Sequence, residues 1–289
     1  MKKILIIGIK GMAGHMLFNY YKSEGKFEVF GLARNVTNST NLFSLDVTDT
    51  DSLQEIVKAN KFDYIVNCIG ILNKDAEDNP SKAVWYNSYF PHLLEEITKD
   101  MLTKIVHIST DCVFSGKEGG YTEESFKNGL GYYAQSKALG EILNSKDVTI
   151  RTSIIGPELN RQGIGLFHWF MAQSNGNVLR GFSKAYWSGI TTLELAKVVE
   201  AVLEQNVTGL IQVAPQEKID KFSLLKLFNR IYRNSEMRIE AYDGYEVDKS
   251  LISIRNDFEY SVPIYEDMLV DQYEWMKKQV DLYLHYNIS

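Results

Sequence analysis

Lys3-Ile4-Leu5-Ile6-Ile7-Gly8-Ile9-Lys10-Gly11-Met12-Ala13-Gly14 opens the chain with an apolar run that stops at a glycine and passes into a helical pattern reaching Glu24. A short apolar run bounded by glycine reads as a buried strand, and the three glycines read as a tight turn from strand to helix. Such a turn lets the backbone approach a pyrophosphate, which the free N–H groups and dipole of the helix N-terminus hold. The spacing is Gly-x-x-Gly-x-x-Gly, and alone it fits any tight turn. With a strand before it and a helix after it, Gly8, Gly11, Met12, Ala13 and Gly14 are expected to seat a dinucleotide.

Working outward, strand-like and helix-like stretches alternate. Strands are expected at 27–32, 64–68, 105–109 and 148–151, and helices at 53–59 (capped by Asp51 or Ser52), 85–99 and 132–144. This alternation predicts an α/β fold: a doubly wound parallel sheet of Rossmann type, with ligands at the carboxyl ends of its strands. After about Gly156 the rhythm breaks. Helices are expected at 166–173, 193–205, 222–232 and 265–286, with a strand at 209–213, in a region rich in Trp, Tyr and Phe. The division expected is a dinucleotide-binding domain at 1–156 that carries the catalytic residues. A smaller mixed α/β substrate-binding lobe follows at 157–289, and about 190–213 folds back onto the first domain.

The end of the second strand bears on which dinucleotide is bound. Gly31-Leu32-Ala33-Arg34 closes it without a carboxylate, and Lys10 adds positive charge nearby. A 2′-hydroxyl is usually read by an acidic residue and a 2′-phosphate by arginine, so NADP(H) is preferred, with NAD(H) left open and a merely solvated Arg34 the plain alternative. Asp46 is expected near the adenine amino group with Val47 against the ring, and Cys68, Ile69 and Gly70 beneath the nicotinamide ribose.

Two further stretches point to the chemistry. Ser109-Thr110-Asp111 follows an apolar run, and Gly131-Tyr132-Tyr133-Ala134-Gln135-Ser136-Lys137 places a tyrosine and a lysine one helical turn apart. A free tyrosine has a pKa near 10. An ammonium on the same helix face is expected to lower it, so that Tyr133 gives a proton to a carbonyl oxygen as hydride arrives at carbon. Lys137 is also expected to bond the nicotinamide ribose, and Thr110 to orient the carbonyl. A Tyr/Lys pair by itself is commonplace on surface helices; the strand-end Thr110 and the glycine turn give it meaning. The five histidines show no metal-ligand spacing, and no metal is expected. His107 reads as packing, and Asp75, Glu77 and Asp78 as a solvated loop. Phe167, Trp169, Phe170, Tyr186 and Trp187 read as core, with a stacking pocket as the alternative.

These residues give the chain a resemblance to the extended short-chain dehydrogenase/reductase superfamily, and within it to the dTDP-4-dehydrorhamnose reductase (RmlD-like) group. Ile108-Ser109-Thr110-Asp111-Cys112-Val113-Phe114-Ser115-Gly116 is similar to that group's Ser-Thr-Asp-Tyr-Val-Phe-Asp-Gly. Tyr133-Ala134-Gln135-Ser136-Lys137-Ala138-Leu139-Gly140-Glu141 looks like its Tyr-Gly-x-Ser/Thr-Lys-x-x-Gly-Glu, and Asn87-x-x-x-Pro91 and Arg151-Thr152-Ser153 also fit. The resemblance implies Thr110, Tyr133 and Lys137 as the catalytic trio, with Asp111, Val113 and Phe114 near the sugar. It implies a nucleotide-sugar substrate whose 4-keto group is reduced by NADPH or NADH in polysaccharide precursor synthesis. An epimerase with tightly held NAD and a non-catalytic regulatory subunit are the other roles that such a chain could fill. The sequence departs from the group at Cys112, at Ile154-Ile155-Gly156 and through 182–192, so the sugar pocket is expected to differ.

Composition narrows the rest. An apolar share of 45% suits an ordinary core, and a net charge of −6 argues against nucleic acid or anionic membrane as partners. Two cysteines are too few for a disulfide framework. The first apolar run falls short of the roughly 7–15 residues of a secretory core and lacks a small-residue cleavage site, so a cytoplasmic protein is expected. A homodimer is left open.

Overall fold

Burial alone sets the first strand. Ile4, Leu5, Ile6 and Ile7 are fully shielded from solvent, as a strand covered by helices on both faces requires. The computed structural model describes residues 1–288. In chain order, β1 (Lys2–Ile7), α1 (Met12–Glu24), β2 (Phe27–Ala33), β3 (Leu42–Ser44), α2 (Thr50–Asn60) and β4 (Tyr64–Asn67) come first. α3 (Asn73–Asp78) and α4 (Pro80–Ala83) run into a π-helical turn, Val84–Tyr89, and then α5 (Phe90–Thr98). β5 (Lys104–Ser109), α6 (Gly131–Leu139), β6 (Val148–Arg151), β7 (Ile154–Ile155) and α7 (Leu166–Met171) follow. Last come β8 (Val178–Trp187), β9 (Ile190–Thr191), α8 (Thr192–Glu204), β10 (Gly209–Gln212), β11 (Ile219–Asp220), α9 (Lys221–Tyr232), β12 (Arg238–Asp248) and α10 (Tyr265–Lys278).

Seven strands form one sheet in the order β10-β6-β5-β4-β1-β2-β3, and each neighbouring pair is parallel. The order reverses between β1 and β4, and that reversal opens a crevice at their carboxyl ends. This is the doubly wound α/β sheet that the alternation predicts. A second sheet, β11-β8-β12, lies in the later part of the chain, where β8 and β12 run parallel with a register shift between Tyr242 and Glu246. Between its elements the chain returns to the main sheet: β10 pairs with β6, and the Tyr21 hydroxyl of α1 donates to Ala196 O of α8 at 2.8 Å. Among the described residues no helix is long and apolar enough to cross a membrane.

Several expected elements differ in extent, each for a local reason. The helix expected over 132–144 stops at Leu139, with Gly140 as its C-cap; a Cβ there would lie 1.8 Å from Asn87 O, so the close packing on the π-helical turn needs glycine at this position. The helix expected over 85–99 starts as the π-helical turn, and that over 265–286 ends at Lys278, with two 3₁₀ turns (Val280–Leu282 and Leu284–Tyr286) carrying Tyr283 and Tyr286 into the core. Asp49, not Asp51 or Ser52, caps α2 by accepting from Ser52 N at 3.2 Å. Asp75, Glu77 and Asp78 lie in α3, not a loop. The short strands β3, β7, β9 and β11 and the long β8 and β12 carry no expectation from the sequence.

Candidate active site

The crevice between β1 and β4 is shaped by glycine. Gly8 sits at φ +95°, a conformation that L side chains rarely adopt. A Cβ on Gly14 would lie 2.2 Å from Gly8 O, so α1 can press onto the turn only because residue 14 is glycine. Gly11 is the N-cap of α1 and supplies no side-chain acceptor, which leaves the first amides of α1, including those of Met12 and Ala13, as free donors. Such a turn fits a pyrophosphate. His15 steadies it, its ring bonded to Gly11 O at 2.9 Å and to the Tyr283 hydroxyl at 3.0 Å. Burial drops the His15 pKa to about 4, so the ring is neutral.

On one side of the turn lies a cavity of about 460 Å³, lined by Gly8, Lys10, Arg34, Asp46, Val47 and Gly70 among others. Arg34 Nη1 stands 3.5 Å from Asp46 Oδ2, and Lys10 Nζ lies 3.5 Å and 3.4 Å from the Arg34 and Asn35 carbonyl oxygens. The Thr48 amide, with help from Arg34, holds the Asp46 carboxyl below its usual range. Two cations therefore flank the end of β2.

On the other side a cleft of about 400 Å³ brings together Met12, Ala13, Thr110, Asp111, Tyr133 and Lys137, and it shares Gly11, Cys68, Ile69 and Gly70 with the first cavity. Thr110 follows β5, and Tyr133 and Lys137 lie one turn apart on α6. The environment of the phenol differs from expectation. Burial pushes the Tyr133 pKa up, Cys112 adds to the rise, and a hydrogen bond with the Thr110 hydroxyl opposes it. Lys137 directs its hydrogen bonds elsewhere: its Nζ donates to Ile108 O at 2.7 Å and lies 3.4 Å from His107 Nε2. Burial lowers the Lys137 pKa to about 8 against the pull of Glu141 and Cys68. His107 is wholly buried and bonded to Asn67 as well, so it links β4 to the lysine rather than merely packing.

Asn87, quoted above only as part of the resemblance, and Ser88, which the sequence did not single out, hold α6 in place. Asn87 accepts from Ile71 N at 2.8 Å and donates to Ile71 O at 2.9 Å and Ser136 Oγ at 3.0 Å, while Ser88 Oγ donates to Ser136 O at 2.7 Å. Both come from the π-helical turn, a feature often found beside functional sites.

The predicted sugar contacts divide. Asp111 is buried at the cleft, whereas Val113 and Phe114 line none of these cavities. The 3₁₀ turn Asp111–Val113 rotates them inward, and Phe114 stacks on Tyr121 with centroids 4.2 Å apart. Cys112 faces the cleft in their stead. Beyond it a third cavity, of about 570 Å³, shares Asp111, Cys112 and Ser153 with the cleft and is walled by Trp169, Phe182, Tyr186, Trp187 and Tyr245. Phe167 and Phe170, grouped with these aromatics in the sequence, are instead buried core. Arg180, Lys221 and Lys249 also line this cavity. The Lys221 ammonium stands 4.7 Å over the Trp187 ring, and burial lowers its pKa to about 8 while Asp111 resists. These cations come from three separate stretches, β8, α9 and the segment after β12, so no spacing announces them. A larger cavity of about 770 Å³ lies at the amino ends of the strands, beside Asp63 and Thr103, away from the crevice that this topology assigns to ligands.

Fold and site together define a dinucleotide-binding reductase scaffold: a doubly wound sheet, a glycine turn at its reversal point, and a Thr, Tyr and Lys beside it. Residues 1–227 match the RmlD substrate binding domain model, and the chain belongs to that family, a branch of the extended short-chain dehydrogenase/reductases. It is 32% identical over 159 residues to a dTDP-4-dehydrorhamnose reductase of Aggregatibacter actinomycetemcomitans, covering 53% of this chain and 51% of that protein. The match thus spans about half the length of that relative. A hypothetical dTDP-4-dehydrorhamnose reductase from Sulfolobus tokodaii superposes with a TM-score of 0.74 at 29% identity, covering 86% of this chain and 91% of the other. The Bacillus anthracis dTDP-4-dehydrorhamnose reductase, solved in complex with NADP, superposes with a TM-score of 0.81 at 19% identity, covering 95% and 99%.

Proposed function

We propose that the protein reduces the 4-keto group of a nucleotide-linked 6-deoxysugar with NADPH, in the cytoplasmic synthesis of a polysaccharide precursor. The observation that carries this reading is the position of Thr110, Tyr133 and Lys137 in the one cleft that joins the glycine-turn cavity to the aromatic and cationic cavity. A cofactor fits one end of that trough and a sugar nucleotide the other. Residues 1–156 carry the cofactor seat and the trio, and 157–289 supply most of the sugar-nucleotide wall.

The reduced nicotinamide, when bound, supplies the hydride. The rest falls to the chain. Gly8, Gly11, Met12, Ala13 and Gly14 would hold the pyrophosphate through the amides of α1, Asp46 and Val47 would serve the adenine, and Cys68, Ile69 and Gly70 the nicotinamide ribose. Thr110 and Tyr133 line the same cleft, where together they would flank the carbonyl oxygen, so that the phenol can donate its proton there. A phenol whose pKa is raised by burial holds that proton in the resting enzyme, and a nascent alkoxide is basic enough to take it. Lys137 lends positive charge to the phenolate that remains. Arg34 and Lys10 favour the 2′-phosphate of NADPH. Arg180, Lys221 and Lys249 suit the diphosphate of the substrate, and Trp169, Phe182 and Tyr245 suit its base. The relatives' names support a 4-keto sugar nucleotide, and the NADP in the Bacillus anthracis structure supports the cofactor.

The test is NADPH oxidation, followed by absorbance, with a panel of dTDP- and UDP-linked 4-keto sugars. Turnover of at least one, with product reduced at C4, is expected. NADPH binding without oxidation by any of them would overturn the reading, and NAD that survives purification with no net reduction would point to an epimerase.

A further inference from the structure

α6 begins without a cap of its own. Leu130 precedes it and makes no side-chain hydrogen bond to its first amides, so these need an acceptor from elsewhere. Glu77 of α3 provides it. One carboxylate oxygen accepts from Tyr132 N and the other from Tyr133 N, each at 3.1 Å. Gly131 makes the approach feasible: its φ is +87°, and a Cβ there would stand 2.6 Å from Glu77 Oε1. A side chain 56 residues away in sequence thus grips the main chain of Tyr133.

α3 is itself tied to both halves of the trough. Leu72 and Asn73 line the cleft that holds Tyr133. Asp75 borders the cavity beside Arg34 and is paired with Lys82 at 2.7 Å. Just upstream, Ile71 is clasped by Asn87, which also reaches Ser136 in α6. The segment that runs from the end of β4 past the cofactor side therefore reaches α6 twice, through Asn87 at its middle and through Glu77 at its start.

We propose that Glu77 is a positioning residue for the reduction: it sets the placement of Tyr133 over the cleft and ties that placement to the segment 68–78. The inference rests on the reductase reading above. A carboxylate also suits the positive end of a helix, but a cap that served stability alone would leave turnover unchanged. A shift of a reacting group by about 1 Å costs on the order of a hundredfold in rate. Loss of this grip should therefore appear in kcat.

The experiment compares Glu77→Ala and Glu77→Gln with the full-length wild-type chain. Glu77→Ala is expected to lower kcat by about tenfold to a hundredfold, with KM for NADPH unchanged and Tm lower by no more than about 4 °C. Glu77→Gln keeps a carbonyl acceptor and should recover most of the rate. Hydrogen exchange at the Tyr132 and Tyr133 amides, and the titration of the Tyr133 phenol taken as the difference from Tyr133→Phe, need no sugar substrate. Both should change in Glu77→Ala. Unchanged kcat in Glu77→Ala overturns the proposal, as does unchanged exchange and phenol titration even if no substrate is found. A wild-type chain that turns over no 4-keto sugar while these two readouts shift would count against the reductase reading and not against the hold of Glu77 on Tyr133.

Discussion

The Glu141 carboxylate grips the Arg151 guanidinium with two parallel bonds, Nε to Oε1 and Nη2 to Oε2, both at 2.8 Å, and both side chains are excluded from solvent. Ser109 Oγ donates to the same carboxylate at 2.8 Å and Lys127 Nζ at 3.0 Å. The exit of α6 is thereby locked to β5 and β6, one residue before Thr110. Replacing Glu141 by Leu leaves Arg151 buried with only Gln212 as a polar partner at 3.2 Å. A loss of about 3–5 kcal/mol is expected, read from urea unfolding, and the further change Arg151→Met should recover much of it.

If Tyr133 is the proton donor proposed above, Tyr133→Phe removes that proton and leaves the glycine-turn cavity untouched. A fall in kcat of about 10²–10⁴-fold is expected, with NADPH affinity unaltered by fluorescence titration. Near-normal turnover would remove Tyr133 from the chemistry.

Lys137 predicts two pH effects. Its pKa is lowered by burial from 10.5 to about 8. The folded protein thus holds this proton less tightly than the unfolded chain, and the cost to stability is complete below pH 8 and relieved between pH 8 and 10.5. Lys137→Met should be more stable than wild type at neutral pH by up to about 3 kcal/mol, less what the lost bond to Ile108 O is worth. That advantage should shrink toward the alkaline end of the window. For activity the sign is opposite: kcat/KM of the wild type should fall above about pH 8 as the ammonium is lost. A flat alkaline profile would contradict the role given to Lys137.

Arg34 stands at the end of β2 with Lys10 beside it. If it reads a 2′-phosphate, Arg34→Glu should reduce the ratio of kcat/KM for NADPH over NADH by about 10–100-fold, the worth of one charged hydrogen bond. NADH turnover should be little affected. An unchanged ratio would make Arg34 a bystander.

Six of the seven strands of the main sheet were legible as short, largely apolar runs, since burial on both faces demands little more; β3 was not, because its three residues are only partly buried or exposed. The glycine turn was legible because Gly8 needs its positive φ and Gly14 its missing Cβ. β12 was not: most of its residues are exposed, so its pairing with β8 leaves no alternation in the sequence. Val113 and Phe114 sit in a string that resembles a sugar-binding motif, yet a single 3₁₀ turn aims them at Tyr121 and the core.

By itself the amino-acid sequence determined the doubly wound sheet, the glycine turn at its reversal point and the single-turn separation of Tyr133 from Lys137, since all three depend on local spacing and on which residues tolerate burial. Only the tertiary structure decided where Lys137 directs its ammonium, which cations meet the aromatic wall, and that Glu77 holds the start of α6. Those outcomes depend on residues tens of positions apart meeting across the fold. Proximity of that kind sets desolvation and charge, and neither is written in the spacing of a motif.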